Sequence, residues 1–193
     1  MIRPMQLSDV PRVAEIHVFG WRCAYRGFID DQHLFCNMLV AKRIERFTEY
    51  LNDAANTNEN YVYDDGIVKA FLTIGPSRDE DKPAAFELCG LYVDPCMKGQ
   101  GIGTALAQYC EEIAAKRGYS EIFLWTFEQN APTRAFYEKL GYVLDGATQI
   151  VEPVGAVGVR YHKYIQKGAV TRVPRKNESR REPTLVFCCK MNL

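Results

Sequence analysis

The residues best suited to chemistry in this chain are the run Lys98-Gly99-Gln100-Gly101-Ile102-Gly103-Thr104. It follows Leu91-Tyr92-Val93, which reads as the end of a buried strand, and Asp94-Pro95, which stops that strand. Glycines at the alternate positions 99, 101 and 103 leave the turn without bulk, so a ligand can lie directly on the backbone. The residues that follow open a helix, whose first N–H groups lack intrahelical partners and carry partial positive charge. A strand feeding a bare helix N-terminus is a seat for a phosphate or pyrophosphate. Two common phosphate loops are excluded by spacing. No Gly-x-x-x-x-Gly-Lys-Ser/Thr run exists, and the dinucleotide fingerprint needs glycine where Thr104 stands.

From the strand end through Gly103, this segment resembles the acyl-CoA-binding motif Arg/Gln-x-x-Gly-x-Gly/Ala of the GNAT superfamily, the Gcn5-related N-acetyltransferases. Lys98 stands where Arg or Gln is usual, keeping the positive charge as a point rather than a bidentate fork. The run Asn130-Ala131-Pro132-Thr133-Arg134-Ala135-Phe136-Tyr137-Glu138-Lys139-Leu140-Gly141-Tyr142 resembles a second GNAT segment, which leads from an asparagine through Phe-Tyr to Gly-Phe/Tyr.

The resemblance implies acetyl-CoA as acyl donor and a primary amine as acceptor, in a small molecule or peptide, by direct attack in a ternary complex. It implies that Lys98, Gly99, Gln100, Gly101, Ile102, Gly103 and Thr104 anchor the pyrophosphate. The backbone of Leu91, Tyr92 and Val93 would pair with the pantetheine arm beside a bulge. The Val93 N–H would then polarise the thioester carbonyl, and Asn130 would bond a pantetheine amide. Tyr137 would protonate the departing thiolate, a phenol of pKa about 10 against a thiol of about 8.5. A packed aromatic is the alternative for Tyr137. A catalytically silent acyl-CoA sensor of the same fold is the alternative for the whole chain.

An ammonium acceptor must lose a proton, and Glu87 is the candidate base, six residues before Val93. Strict alternation places it on one face with Cys89, Leu91 and Val93. A structural ion pair is the competing reading, since a carboxylate in an apolar strand is costly unless used or paired. The run His17-Val18-Phe19-Gly20-Trp21-Arg22-Cys23-Ala24-Tyr25-Arg26-Gly27-Phe28-Ile29 is similar to a bacterial GNAT subgroup that has no single assigned acceptor. By that likeness Trp21, Tyr25 and Phe28 would line the acceptor pocket, and Arg22 or Arg26 would hold a carboxylate or a CoA phosphate.

The elements that must position these residues follow from periodicity and punctuation. Ile2 to Met5 reads as a strand. A helix capped by Ser8 follows to about residue 19. A second helical region starts at Asp30 or Asp31, breaks near residue 39 and ends near Leu51. A hairpin turns at Asp64-Asp65-Gly66. Ala85 to Val93 is the central strand. The helix over 101–117 buries Ile102, Leu106, Tyr109 and Ile113 and closes at Gly118. Glu121 to Phe127 is a strand buried on both faces. A short helix begins after Asn130, and strands cover 142–151 and 156–165. This order is that of the GNAT fold, an α/β (α+β) architecture. It implies a mixed, mostly antiparallel sheet of about seven strands with about four helices, splayed between the fourth and fifth strands.

The domain so read is 1–166. Residues 167–193 form a basic tail, with Lys167, Arg172, Arg175, Lys176, Arg180, Arg181 and Lys190 against Glu178 and Glu182. An added strand at 184–192 would leave an edge able to pair a second copy into a homodimer. The tail does not by itself call for nucleic acid, since a solvated segment explains it as well. The composition, 47% hydrophobic and 25% charged, is that of a soluble globular protein. No run is long enough to span a membrane. The start of the chain lacks the pattern of a signal peptide. Seven scattered cysteines and three separated histidines, 17, 33 and 162, give no metal-ligand spacing, and reduced thiols in a cytoplasmic protein are expected.

Overall fold

The computed structural model describes residues 1–166. The tail, with its expected strand at 184–192, lies outside the described residues. In order, the elements are β1 (Ile2–Pro4), α1 (Val10–Tyr25), α2 (Val40–Asn52), β2 (Glu59–Asp64), β3 (Val68–Pro76), β4 (Phe86–Val93), α3 (Ile102–Lys116), β5 (Glu121–Phe127), α4 (Ala131–Lys139), β6 (Val143–Val151) and β7 (Ala156–Tyr164). They form one seven-stranded sheet in the order β1-β2-β3-β4-β5-β7-β6. Only β4 and β5 are parallel, and they register over just two pairs, Phe86 with Ile122 and Glu87 with Phe123, before diverging. The expected splay is therefore present.

The two faces carry different helices. Phe71 on β3 stacks on Tyr92 on β4, with ring centroids 4.9 Å apart. That pair meets His17 of α1 and Phe47 of α2. On the opposite face, Tyr61 of β2 meets Tyr109 of α3 edge-on at 5.1 Å. The buried stripe of α3 is Ile102, Leu106, Cys110 and Ala114, with Tyr109 and Ile113 only half-buried at its margin. Ile102 and Leu106 are as expected, whereas the second half of the stripe moves one position on, to Cys110 and Ala114.

Two boundaries also differ from expectation. Helix α1 continues to Tyr25, because Trp21 and Tyr25 carry its apolar face onto Phe127 of β5. At its start, Ser8 lies inside a 3-10 turn and Asp9 precedes the helix. Asp9 is buried and takes a bidentate pair from Arg3 of β1. The expected break near residue 39 is real. A π-helical turn at His33–Asn37 ends just before α2 begins at Val40.

At the closed end, an ionic network joins the two halves of the sheet. Arg160 of β7 binds Asp79 and Asp81 in the loop before β4, and Asp145 of β6. Asp79 also accepts from the Trp125 indole at 2.8 Å. Lys82 of the same loop reaches Glu121 of β5, which His162 also contacts.

Arg160 is buried, so Arg160→Met takes the guanidinium from the buried Asp79 and leaves Asp145 only Lys82, at 3.5 Å. We expect a loss of about 3 kcal/mol in urea unfolding, in the range for breaking one partner of a buried pair. An unchanged midpoint would show the network to be dispensable. Arg3 hydrogen bonds hold Asp9 below its ordinary pKa, and Arg160 holds Asp81 at about 2. Carboxyls depressed in the folded state contribute stability above the unfolded value near ~4 and lose it as pH falls through the folded value. Asp81 is largely exposed and its share is screened, so the loss is carried chiefly by the buried Asp9. Stability is expected to fall as the pH drops below about 4, and a flat curve there would contradict it.

Candidate active site at the sheet splay

The end of β4 is shaped by one extra residue. Ile74 pairs with Leu88 and Thr73 with Gly90, so Cys89 is bulged out of the β3 ladder. Beyond the bulge, the Asp94 N–H donates to the Lys69 carbonyl of β3 at 2.8 Å. Alternation then turns the N–H groups of Val93 and Leu91 away from β3, into the gap that β5 vacates. Strand β4 thus ends with main-chain donors facing a space in which no strand pairs with them.

The glycine run lies where that gap opens. Asp94 and Pro95 end β4, the Asp94 carboxylate accepts from the Cys96 N–H, and Arg12 of α1 pairs with Asp94. Gly99 and Gly101 both adopt positive φ, +74° and +75°. Gly101 is the N-cap of α3, no side chain caps that end, and a Cβ on Gly101 would meet nothing within 4 Å. Gly99, Gln100 and Gly101 are exposed, Thr104 is half-buried, and Ile102 and Gly103 turn into the fold. Lys98 is half-buried near Cys23 and Cys96, and burial lowers its pKa. The result is an open cradle of main-chain donors with a lysine beside it.

Asn130 follows the end of β5 and is buried. Its Oδ1 caps α4 by accepting from the Thr133 N–H, while its buried Nδ2 has no hydrogen-bond partner among the described residues. Thr133 Oγ1 and Thr126 Oγ1 are orphaned in the same way. These two threonines were not anticipated. Buried hydroxyls ordinarily find partners, so these atoms are free to meet one from outside the described residues. Tyr137 is fully buried, 5.1 Å from the Phe136 ring and 5.5 Å from the Tyr142 ring.

Three expected site residues have other surroundings than predicted. Glu87 is fully buried, and Arg78 grips its carboxylate through the backbone N–H and two guanidinium nitrogens at 3.1, 3.0 and 2.7 Å. The ion-pair reading therefore describes Glu87, which is not presented as a free base. Nor does it share a face with Leu91 and Val93. The bulge resets the alternation, so that Gly90 and Tyr92 face α1 instead. Arg22 donates to the carbonyls of Leu34 and Met38, pinning the π turn to α1 rather than reaching for an anion. Arg26 is exposed and 3.7 Å from Asp31.

Trp21 and Tyr25 are buried and Phe28 is half-buried, and the three rings form a packed aromatic wall. The Trp21 indole donates to the Tyr92 hydroxyl at 3.2 Å, and all three rings contact Phe127. They bridge β4 and β5 across the open end, on the α1 face. A separate pocket of about 500 Å³ lies between α2 and the sheet. Arg43, Arg46, Tyr50, Asn58, Arg78 and Cys89 line it. Sequence reading missed it. The available signal was Arg43 in line with Phe47 on the apolar face of α2.

No metal-binding group of His, Cys, Asp and Glu exists among the described residues, and the five described cysteines are free thiols. No described helix is long and apolar enough to cross a membrane.

The chain is similar to known proteins in sequence and in fold. Residues 29–142 match the model of the acetyltransferase (GNAT) family. The N-acetyltransferase YuaI of Bacillus subtilis is 31% identical over 139 residues, covering 71% of this chain and 76% of YuaI. A spermidine N(1)-acetyltransferase of Thermoplasma acidophilum is 22% identical, covering 78% of this chain and 94% of that protein. Among solved structures, the PaiA N-acetyltransferase of Thermoplasma acidophilum in complex with coenzyme A superposes with a TM-score of 0.62 at 18% identity, covering 86% of this chain and 98% of that one. The family match spans more than half of the sequence and includes the glycine cradle, the bulged strand and the Asn130 segment, and the chain belongs to the GNAT family of acetyltransferases.

Proposed function

We propose that this protein transfers an acetyl group from acetyl-CoA to a primary amine of a small molecule or peptide, by direct attack while both are bound. The observation that carries the reading is the set of unclaimed donors around one gap. These are the Leu91 and Val93 N–H groups, the bare α3 N-terminus and the orphaned Asn130 Nδ2. They fit coenzyme A, which offers a pyrophosphate, then amide carbonyls, then a thioester in line. When bound, acetyl-CoA supplies an activated acyl group.

The chain's own groups would do the rest. Gly99 to Thr104, with Lys98, bind and orient the phosphates. Leu91, Tyr92 and Asn130 hold the pantetheine arm in register. The Val93 N–H donates to the thioester carbonyl oxygen, where negative charge develops. Tyr137 holds a proton at its hydroxyl for the leaving thiolate. The Trp21–Tyr25–Phe28 wall excludes water from the α1 side. With Glu87 committed to Arg78, the ammonium proton leaves through water in the pocket.

The acyl-CoA sensor remains the rival reading, and the Glu87 pairing is the observation in its favour. Thiol release from acetyl-CoA with a panel of amines decides between them. Amine-dependent release supports transfer, whereas tight binding without release supports the sensor.

Gly101→Asp places a carboxylate where the open space and the helix N-terminus invite a phosphate. Calorimetric titration should show acetyl-CoA affinity falling roughly a hundredfold or more, in a variant with an unchanged circular dichroism spectrum. Retained affinity would remove the cradle from the phosphate site. Tyr137→Phe should lower kcat roughly a hundredfold, the usual worth of a positioned acid, with acetyl-CoA affinity held within about twofold. An unaltered kcat would leave Tyr137 as packing alone.

A further inference from the structure

The pocket beside α2 contains a buried cation without an anion. Arg43 sits within α2 and is only 9% exposed. A guanidinium carries five N–H donors. The hydrogen-bond partner that Arg43 finds among the described residues is the Met38 sulfur, at 2.8 Å, and no described carboxylate lies within 4.0 Å of it. Burial lowers its pKa, yet an arginine remains charged at any working pH. A buried charge without a counter-ion is costly, so it is kept where an anion arrives from outside.

Arg46, three residues on, turns into the same pocket, is half-buried and has no ion pair among the described residues. Arg78, the third cation there, is occupied by Glu87. The lining also includes Glu49 and Asp53, but both are exposed at the mouth and neither lies within 4.0 Å of Arg43 or Arg46. The inner part of the pocket is therefore cationic.

Its position ties it to the reacting centre. Cys89, the bulged residue of β4, forms part of its wall. Arg43 lies within electrostatic reach of the Tyr92 hydroxyl and of His17, whose two buried ring nitrogens are also unpartnered. Tyr92 is flanked by Leu91 and Val93, whose N–H groups open into the gap. A volume of about 500 Å³ suits a molecule of amino-acid to dipeptide size.

Building on the acetyl-transfer reading, we propose that this pocket selects an acceptor that bears a carboxylate as well as an amine. Arg43 grips the acid group, Arg46 supports it, and the amine points toward the bulge in β4. A planar carboxylate matches the guanidinium fork bidentately. A polycationic amine meets only repulsion from the same residues.

The test is thiol release from acetyl-CoA with the twenty L-amino acids, their C-terminal amides and spermidine as acceptors. It is run on the full chain and on Arg43→Met and Arg46→Met, with thermal melting to confirm that each variant folds. The expected result is that at least one free amino acid exceeds its own amide roughly a hundredfold in kcat/KM, because the amide leaves the buried cation unpaired. Arg43→Met should bring that ratio close to one, and Arg46→Met should lower it less, both with acetyl-CoA affinity retained. The half-buried Arg46 keeps the test open if Arg43→Met does not fold. Amides or spermidine matching the free acids, no amino acid being turned over, or a ratio unmoved in the folded variants would each overturn the proposal. Acetyl-CoA titration separates the two levels. A wild-type protein that does not bind acetyl-CoA defeats the acetyl-transfer reading itself, whereas binding without use of any amino acid defeats only this inference.

Discussion

The rest of this structure depends on one incomplete strand pairing. Parallel strands β4 and β5 share two registered pairs and then separate. Main-chain donors that a continuous sheet would consume are left facing a gap. Unpaired backbone groups in an interior are costly, so such an opening persists only if both sides are held apart and something polar can enter. The Cys89 bulge turns β4 away, while Arg160, Asp79, Lys82 and Glu121 clamp the other end shut. The site is an opening where two neighbouring strands of one sheet part.

Charge is distributed along the same lines. At the closed end, the buried Arg160 meets Asp79, Asp81 and Asp145 in short contacts. Toward the open end Arg12 pairs with Asp94, but two other cations differ. Lys98 stands beside the glycine cradle and Arg43 in the α2 pocket, each without a carboxylate in contact among the described residues. Paired ions hold the two half-sheets in register.

The aromatic wall shows how one set of residues can serve fold and site together. Trp21 and Tyr25 extend α1 two turns beyond its expected end and cross from Tyr92 on β4 to Phe127 on β5. Edge-to-face contacts of this kind favour a fixed geometry over mere burial. The wall therefore sets the width of the opening on one side while the α3 face stays open for a ligand. Arg22, by gripping the carbonyls of Leu34 and Met38, fixes the segment that leads into α2 and so sets where Arg43 stands.

Local pattern alone determined much of this protein. The glycines at 99 and 101, with a strand before and a helix after, dictate a cradle because only glycine takes positive φ there without strain. Asn130 declares a helix cap by its type and by Pro132 after it, and the order of elements follows from periodicity and punctuation. What only tertiary structure decided is which side chains meet. Glu87 reads as a free base or an ion pair until the loop carrying Arg78 folds over it. The face that β4 shows to α1 could not be read by counting in twos, because a bulge is set by the partner strand's register rather than by the residue that bulges. Arg43 on α2 looks like any helix-surface arginine until the helix packs with that face inward. Sequence fixes what lies within a turn or two of itself, whereas pairing across the sheet and the burial of charge depend on neighbours that arrive from far along the chain.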